Sequence, residues 1–332
     1  MLACTNCLVR KECNKMVSAP LVDIVLPTYN GERYLKEQLD SLLKQDYFNI
    51  HIYIRDDNSK DNTLTILEEY EDKYREQITL LRDEKGNLGV TNNVMEILRN
   101  TKANYVMFSD QDDVWFSNKV SVMLKSIRQK EKQDGRIPML VFGDAYVTDD
   151  KLNTINESFC FNSGMKPYKV TFQNLLQVNP MIGAACIYNR RLVDITLNLK
   201  NNELSRRVSH DWWMAVVAAA FGKIYYRNKQ LMYYRQHDKN VVGMHYMASL
   251  SDYIFSAEKN KHQFKYKRYL NRNYALCVEL KRNYYFILNQ KNREILDFYL
   301  NNVTDMKQYI KMQLYKEYTL IENLYRFFLG VE

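Results

Sequence analysis

The sequence of 332 residues is long enough for one large domain or for a domain with an appended region, and its hydrophobic content of 46% permits a buried core. The longest apolar run, residues 214–221, is far too short to cross a bilayer and no apolar signal segment is present, so we expect a cytoplasmic protein. The net charge of +8 is uneven, because residues 259–293 contain ten Lys or Arg and one acid, and six cysteines in so long a chain do not indicate a disulfide framework.

The N-terminal half of the chain alternates segments that predict strands with segments that predict helices. Short apolar or alternating runs predict strands at residues 22–26, 50–54, 78–81 and 105–108. Helices are predicted between them at residues 32–45 and 61–74, and from the Gly86 turn to residue 99. Alternation at this spacing indicates an α/β fold with a mostly parallel sheet flanked by helices.

Polar residues follow three of the predicted strands. They occupy residues 27–30, 56–59 and 109–113. Because ligands bind at the carboxyl ends of the strands in such sheets, we expect the three clusters to form one site. No G-x-G-x-x-G follows the first strand and no G-x-x-x-x-G-K-[ST] occurs, which disfavours a dinucleotide dehydrogenase and a P-loop phosphate site.

Three carboxylates, Asp110, Asp112 and Asp113, come directly after the apolar run at 105–108. Because close carboxylates repel one another, we expect a cation among them. Mg²⁺ or Mn²⁺ accepts one or two carboxylates and fills its other positions with water and substrate phosphates. A solvated acidic turn is the alternative, but the buried strand before the carboxylates and Trp115 behind them favour the metal site.

The rest of the chain contains fewer regular segments. A helix is predicted after residue 117, another at 192–199, and loops over most of 149–180. Strands are predicted at residues 139–142, 185–188, 223–226 and 231–234. Arg235 and His237 follow the last of these strands. They could reach a diphosphate or the metal, although a lone His after a strand is more often a core or loop residue.

Asp211 lies in the sequence Ser209-His210-Asp211-Trp212-Trp213, which opens an apolar helix at residues 214–221. An acid near a helix N-terminus is stabilised by the helix dipole, so capping is its ordinary role. An Asp flanked by His and two Trp in a cleft also suits general-base chemistry. Taken by itself, this motif favours the capping role.

Helical periodicity takes over from about residue 246, in a region rich in Tyr, Lys and Asn. Its basic and aromatic surface suits an anionic membrane, whereas packing on the preceding domain or on a second copy in a homodimer is the alternative. No nucleic-acid motif accompanies the basic residues, so nucleic acid is not expected as a partner. Cys4, Cys7 and Cys13 lack a nearby fourth ligand for zinc. We therefore expect an N-terminal extension at 1–20, a domain at 21–245 and a helical region at 246–332.

Six motifs, in this order and spacing, resemble those of family 2 glycosyltransferases with the GT-A fold over residues 22–243. They are LPTYNG at 26–31, RDDNSKD at 55–61, NLG at 87–89, SDQDDVW at 109–115, HDWW at 210–213 and YRQH at 234–237. The DQDDVW form, together with Arg-Gln-His, resembles the bacterial rhamnosyltransferase branch. The chain lacks the Gln-x-x-Arg-Trp element and the membrane spans of processive synthases, so the resemblance implies one or a few transfers per encounter.

The resemblance implies a role for each matching residue. Donor contacts would come from Pro27, Tyr29, Asn30, Asp57, Asp112 and Arg235. Contacts to Mn²⁺ or Mg²⁺ would come from Asp113, Asp110 and His237. Asp211 would be the catalytic base of an inverting single displacement, in which the metal stabilises the departing nucleoside diphosphate.

The resemblance also implies the substrates. The donor is expected to be a nucleotide sugar, either dTDP-rhamnose or a UDP-hexose, and the acceptor a growing surface polysaccharide or its lipid-linked precursor. A catalytically silent nucleotide-sugar-binding subunit is the alternative from another class, and it is disfavoured because both Asp113 and Asp211 are present. A nucleotidyltransferase is disfavoured because no Gly- and Lys-rich loop follows the first strand.

Overall fold

The structure is a computed structural model that describes residues 19–162, 170–238 and 259–302. Its strands are β1 (Val22–Thr28), β2 (Ile50–Asp56), β3 (Ile78–Leu80), β4 (Tyr105–Phe108), β5 (Val114–Trp115), β6 (Met139–Thr148), β7 (Thr154–Asn156), β8 (Cys186–Asn189) and β9 (Lys223–Arg235). In the described residues these nine strands form one sheet in the order β3-β2-β1-β4-β8-β6-β9-β5, with β7 paired to β6. The α/β class predicted from the sequence is confirmed.

Helices alternate with the strands in the first half of the chain and dominate after β9. They are α1 (Leu35–Leu43), α2 (Thr63–Lys73), α3 (Val90–Asn100), α4 (Lys119–Asp134), α5 (Phe159–Asn162), α6 (Phe172–Leu175), α7 (Arg190–Leu197), α8 (His210–Phe221), α9 (Lys259–Tyr284) and α10 (Gln290–Asn302). Short 3₁₀ turns occur at Gly183–Ala185 and Tyr285–Ile287.

The first half of the sheet is parallel, with β2 and β4 on either side of β1 and β3 beyond β2. All seven residues of β1 are buried, as expected of a parallel strand that is covered on both faces. Ile24 belongs to the apolar cluster that contains Leu39 of α1, whereas its neighbour Val25 belongs to the cluster that contains Val94 of α3. Helices therefore cover both faces of the parallel half.

The second half of the sheet contains antiparallel pairs, because β8 runs antiparallel to both β4 and β6. The two strands predicted at 223–226 and 231–234 are one strand, β9, which lies parallel to β6. Its register shifts where Phe142 pairs with Tyr226 but Asp144 pairs with Gln230. The polar residues in that shift interrupt the alternation of the sequence, which explains why two strands were predicted.

Helices α9 and α10 share a hydrophobic core with the preceding domain. Leu276, Leu280 and Tyr284 are buried in the same cluster as Trp213 of α8. The rings of Trp213 and Tyr284 stack with centroids 5.6 Å apart, and the Tyr284 hydroxyl donates to the carbonyl of Ile195 at 2.7 Å. One face of the C-terminal helices is thus occupied by packing on the domain.

Some predictions concern residues outside the described ranges. These include Cys4, Cys7 and Cys13 in the N-terminal segment, the boundary at residue 245 and the last thirty residues. The predicted division into three parts therefore stays a prediction. None of the helices in the described residues is long and apolar enough to cross a membrane.

Candidate active site

The three polar clusters meet at one edge of the sheet. β1 lies between β2 and β4, and the strand order reverses between β1 and β4. In open α/β sheets the carboxyl ends of the strands form a ligand crevice at such a reversal. The segments that follow β1, β2 and β4 therefore lie side by side, as the sequence predicted.

The segment after β1 is hydrogen-bonded to the segment after β2. The backbone N–H of Asn30 donates to Ser59 Oγ at 2.8 Å, and Asn30 Oδ1 accepts from the N–H of Lys60 at 2.7 Å. Asn30 has a φ of 47°, a left-handed conformation that Asn adopts more readily than most residues. Asn30, predicted as a donor contact, thus also joins two loops. Pro27 lies just before it, buried within β1.

Asp57 is buried at the end of β2, where backbone amides surround its carboxylate. Oδ1 accepts from Leu88 N at 2.7 Å and from Arg55 Nη1 at 2.9 Å, and Oδ2 accepts from Gly89 N at 2.8 Å. The carboxylate therefore holds the loop at 86–89 against β2. Its role toward a nucleotide base stays a prediction.

Gln111 joins the segment after β4 to the segment after β1. Its side-chain Oε1 accepts from Tyr29 N at 2.9 Å, and its Nε2 donates to Tyr29 O at 3.0 Å. A Cβ on Gly31 would lie only 2.4 Å from Gln111 Oε1, so a side chain at residue 31 would displace the Gln111 amide from this position. The Tyr29 ring is left 48% exposed, available to a ligand. The sequence analysis named Gln111 only as part of the SDQDDVW motif and predicted no role for it.

Burial and nearby negative charge raise the pKa of two of the carboxylates after β4, Asp110 and Asp113. Burial, with the nearby negative charges of Asp112 and Asp211, raises the pKa of Asp110 to about 7. Burial also raises the pKa of Asp113 well above its usual range, and Asp112 and Asp110 add to the effect. Negative charge is therefore crowded here, and a cation or a proton would relieve it.

The fit of these residues to a metal ion can be tested from their contacts. In the described ranges no three His, Cys, Asp or Glu side chains are grouped so that they could hold a metal ion. Oδ2 of Asp113 is nevertheless buried without a hydrogen-bond partner among the described residues, and His237 Nε2 lies 2.8 Å from Asp112 Oδ2. Mg²⁺ needs only one or two carboxylates when water and substrate phosphates complete its shell. The residues fit a metal that binds together with a diphosphate.

Arg235 is buried, and its guanidinium links several segments of the protein. Nε donates to the carbonyl of Asp112 at 2.8 Å, Nη1 donates to the carbonyl of Asp150, and Nη2 pairs with the Glu37 carboxylate. The guanidinium also lies 4.5 Å from the centre of the Tyr34 ring. The structure thus shows Arg235 fixing the carboxylate loop, whereas its predicted contact with the donor stays a prediction.

Asp211 lies in the first turn of α8. Its Oδ1 accepts from Trp212 N at 2.8 Å, and its Oδ2 accepts from Asn179 Nδ2 at 3.0 Å. The first contact is of the kind expected near a helix N-terminus, so the capping role is partly present. The effect of Asp211 on the pKa of Asp110 places the two carboxylates near each other. The contact with Asn179 could not be foreseen, because 149–180 has no regular pattern.

Lys119, in the first turn of α4, is completely buried. Its ammonium donates to the carbonyl of Ala184 at 2.6 Å and lies 3.6 Å from the centre of the Trp115 ring. Burial lowers the pKa of Lys119 well below its ordinary value, while Asp113 opposes the shift. The sequence analysis missed this residue. The available signal was a lysine four residues after Trp115, next to the apolar face of α4.

Comparison with known proteins assigns the family. The model described as glycosyl transferase family 2 matches residues 23–195. This chain belongs to that family. It is 30% identical over 230 residues to the dTDP-rhamnosyl transferase RfbG of Shigella flexneri, across 66% of this glycosyltransferase and 73% of RfbG. It is 29% identical over 159 residues to the UDP-Glc:alpha-D-GlcNAc-diphosphoundecaprenol beta-1,3-glucosyltransferase WfgD of Escherichia coli, across 47% of this chain and 55% of WfgD.

A solved structure confirms the fold. Residues 1–349 of S. aureus TarS in complex with UDP superpose with a TM-score of 0.53 at 18% identity, covering 91% of this glycosyltransferase and 77% of the TarS chain. Likeness at this identity concerns the fold alone. The predicted GT-A architecture is therefore confirmed, and the individual residue roles stay predictions.

Proposed function

We propose that this glycosyltransferase moves a sugar from a nucleoside diphosphate to an acceptor hydroxyl, with inversion at the anomeric carbon. The observation that carries the proposal is the position of Asp211 near the carboxylates that follow β4: the ring of His210, next to Asp211, lies 5.4 Å from the ring of Phe108 at the end of β4, and the charge of Asp211 contributes to raising the pKa of Asp110. A base on one side of a cleft and diphosphate-binding groups on the other is the arrangement that a single displacement requires.

In the proposed reaction Asp211 accepts the proton of the acceptor hydroxyl. The acceptor oxygen forms a bond to the anomeric carbon, and the bond from that carbon to the diphosphate oxygen breaks. The bonding electrons leave with the nucleoside diphosphate. Asp211 is suited to this step because Trp212 and Asn179 hold its two oxygens while lone pairs remain for a proton.

We propose that Asp113 holds Mg²⁺ or Mn²⁺ together with the diphosphate, with Asp110 nearby, while Asp112 contacts the diphosphate and His237 contacts the diphosphate or the metal. When bound, such an ion would stabilise the charge of the departing diphosphate. The unpartnered Oδ2 of Asp113 supports its place in this set. We propose that the exposed Tyr29 ring contacts the nucleoside, with Asp57 as a second contact, and Gln111 holds Tyr29 in position.

The donor we propose is dTDP-rhamnose, because RfbG is described as a dTDP-rhamnosyl transferase. A UDP-hexose is the second candidate, because WfgD is described as acting with UDP-Glc on a diphosphoundecaprenol-linked sugar. The name of WfgD favours a lipid-linked acceptor, and a growing surface polysaccharide is the other acceptor that we propose. A catalytically silent subunit stays the alternative from another class, and measured transfer would exclude it.

A panel of dTDP- and UDP-sugars tests the donor and the metal together. We expect calorimetric binding of the preferred nucleotide sugar with Mg²⁺ or Mn²⁺, and loss of most of that binding in EDTA. Asp113→Ala should bind the nucleotide equally weakly with and without metal while remaining folded by circular dichroism. Equal affinity of the unmodified protein in both conditions would contradict the metal site.

We also propose that the turn between α9 and α10 contacts an anionic membrane that carries the acceptor. Phe286 and Ile287 in this turn are 83% and 58% exposed, and residues 281–293 contain four Lys or Arg and no acid. Lys281 pairs with Asp297 and Arg282 pairs with Glu279, and exposed apolar side chains beside such basic residues suit anionic headgroups. Vesicles with anionic lipid should co-sediment the protein, less so at high salt and less so for Phe286→Ser. Phe48→Ser, which changes an exposed ring elsewhere, should bind like the unmodified protein. Indifference to anionic vesicles at low salt would contradict the proposal.

A further inference from the structure

The segment at residues 179–185, between α6 and β8, lies directly against the candidate base. Asn179 begins it, and its side chain is fixed by the backbone of Met181, whose N–H donates to Asn179 Oδ1 at 3.2 Å and whose carbonyl accepts from Nδ2 at 3.1 Å. The same Nδ2 also donates to Asp211 Oδ2 at 3.0 Å. The amide is therefore held in one orientation, with a donor directed at the carboxylate.

Gly183 permits the close approach of this segment to α8. A Cβ at Gly183 would lie 2.9 Å from the Cβ of Asp211 and 3.3 Å from Nε2 of His210. The first distance is shorter than carbon atoms tolerate, so a larger residue would push the segment and Asp211 apart. Asn179 and Gly183 thus contact the same side chain from two points, four residues apart.

Lys119 holds the other side of the segment. Its ammonium donates to the carbonyl of Ala184 at 2.6 Å, and it lies over the ring of Trp115, which belongs to the loop of the carboxylates. The segment at 179–185 is therefore attached both to Asp211 and to the carboxylate loop.

We propose that Asn179 is a positioning residue for Asp211, and that Lys119 anchors the segment from which Asn179 acts. The proposal rests on the proposed role of Asp211 as base. A carboxylate can rotate about its side-chain bonds, and a base works only within hydrogen-bond reach of the proton it takes. Trp212 N holds one oxygen, and Asn179 supplies the contact that fixes the other.

The test is a double-mutant cycle between Asn179→Ala and Asp211→Asn, measured as transfer of the preferred sugar. Asn179→Ala should lower kcat about 10–100-fold, because small misplacements of a reacting group cost up to about 100-fold. The KM for the donor should stay within about twofold, since donor binding does not involve this residue. In the Asp211→Asn background, Asn179→Ala should change kcat by less than about twofold, because Asn179 acts through Asp211.

Asn49→Ala is the matched control. Asn49 is half-buried like Asn179, and its side-chain amide donates to the carbonyl of Ala19 at 2.7 Å, at the opposite end of the strands. It should leave kcat unchanged. Lys119→Met should lower kcat as Asn179→Ala does. If Lys119→Met does not fold, the double-mutant cycle between Asn179 and Asp211 still tests the positioning role of Asn179.

The remaining outcomes distinguish the positioning role of Asn179 from the role of Asp211 as base. If Asp211→Asn abolishes transfer but Asn179→Ala keeps the unmodified kcat, the positioning role is wrong and the proposed function stands. An Asn179→Ala loss that is equally large in the Asp211→Asn background would also overturn the positioning role. If Asp211→Asn itself retains full transfer, the proposed base is wrong.

Discussion

Arg55 provides a sharp test of how the donor side of the site is held together. This buried guanidinium donates twice to the Asp83 carboxylate, from Nε and Nη2 at 2.8 Å each. It also donates to Asp57 at 2.9 Å, to Asn93 at 3.1 Å and to the carbonyl of Gly86 at 3.0 Å. One side chain thus joins the end of β2, the loop at 83–89 and α3.

Replacing Arg55 with Met keeps a long apolar side chain but leaves Asp57 buried without its cation. Removal of one partner from a buried ion pair costs about 3–5 kcal/mol of the free energy of unfolding. We expect the lower end, about 3 kcal/mol, because Leu88 N and Gly89 N still donate to Asp57. Urea unfolding followed by tryptophan fluorescence measures this loss. Nucleotide affinity should fall as well, since the loop at 86–89 loses an anchor.

Arg75→Met is the control for Arg55→Met. Arg75 pairs with Asp72 one helical turn away, and both side chains are about three-quarters exposed. Such a surface pair contributes roughly 0.5 kcal/mol or less, so the control should unfold almost like the unmodified protein. A loss below about 1 kcal/mol for Arg55→Met would refute the reasoning, because it would mean that desolvation cancels the attraction in this network.

Three further predictions follow from individual contacts. The hydrogen bonds from Arg55 lower the pKa of Asp83 to about 2, below its unfolded value. The stabilisation from the Arg55–Asp83 pair is therefore complete above the pKa of Asp83 in the unfolded chain and is lost as the pH falls toward 2. The difference in the free energy of unfolding between the unmodified protein and Arg55→Met should narrow between about pH 5 and 2, as measured by urea titrations. Gly222→Ala would place a Cβ 1.8 Å from a backbone oxygen and should lower stability by about 1–3 kcal/mol or more, measured by thermal unfolding. Gln111→Ala should raise the donor KM more than it lowers kcat, because it releases Tyr29, and an unchanged KM in steady-state assays would contradict that role.

Some features of the fold were predictable because they depend on residues close together in sequence. The alternation of β1, α1 and β2 follows from apolar periodicities of two and 3.6 residues, which the chain expresses locally. The polar clusters at strand ends could likewise be placed at one edge, since parallel strands share a direction. The Asp-rich loop was recognisable for the same reason, whereas Asp211 was recognisable from the residues on either side of it, 209–213.

The prediction of β9 from local sequence patterns was wrong. Its polar residues 227–229 break the alternation, so the sequence predicted two strands where β6 supports one strand across a register shift. The position of α9 and α10 could not be predicted either, because a basic, aromatic helix can pack on the preceding domain or on a second copy, or can contact an anionic membrane. The buried contact of Tyr284 with Trp213 decided that one face packs.

The sequence by itself determined the alternation of strands and helices in the first half of the chain, the edge of the sheet that carries the site and the residue types gathered there. Only the tertiary structure decided which partner each site residue has. Arg235 pairs with Glu37 across 198 positions, and Asn179 reaches Asp211 across 32. Asn179 lies in a segment without periodicity or motif, and the motifs and the predicted helix that contain the other three residues do not show which residues they meet, because that depends on how the strands and helices pack. Hydrophobic patterns report which face of an element is buried, but they carry no information on which polar groups meet across the resulting interface.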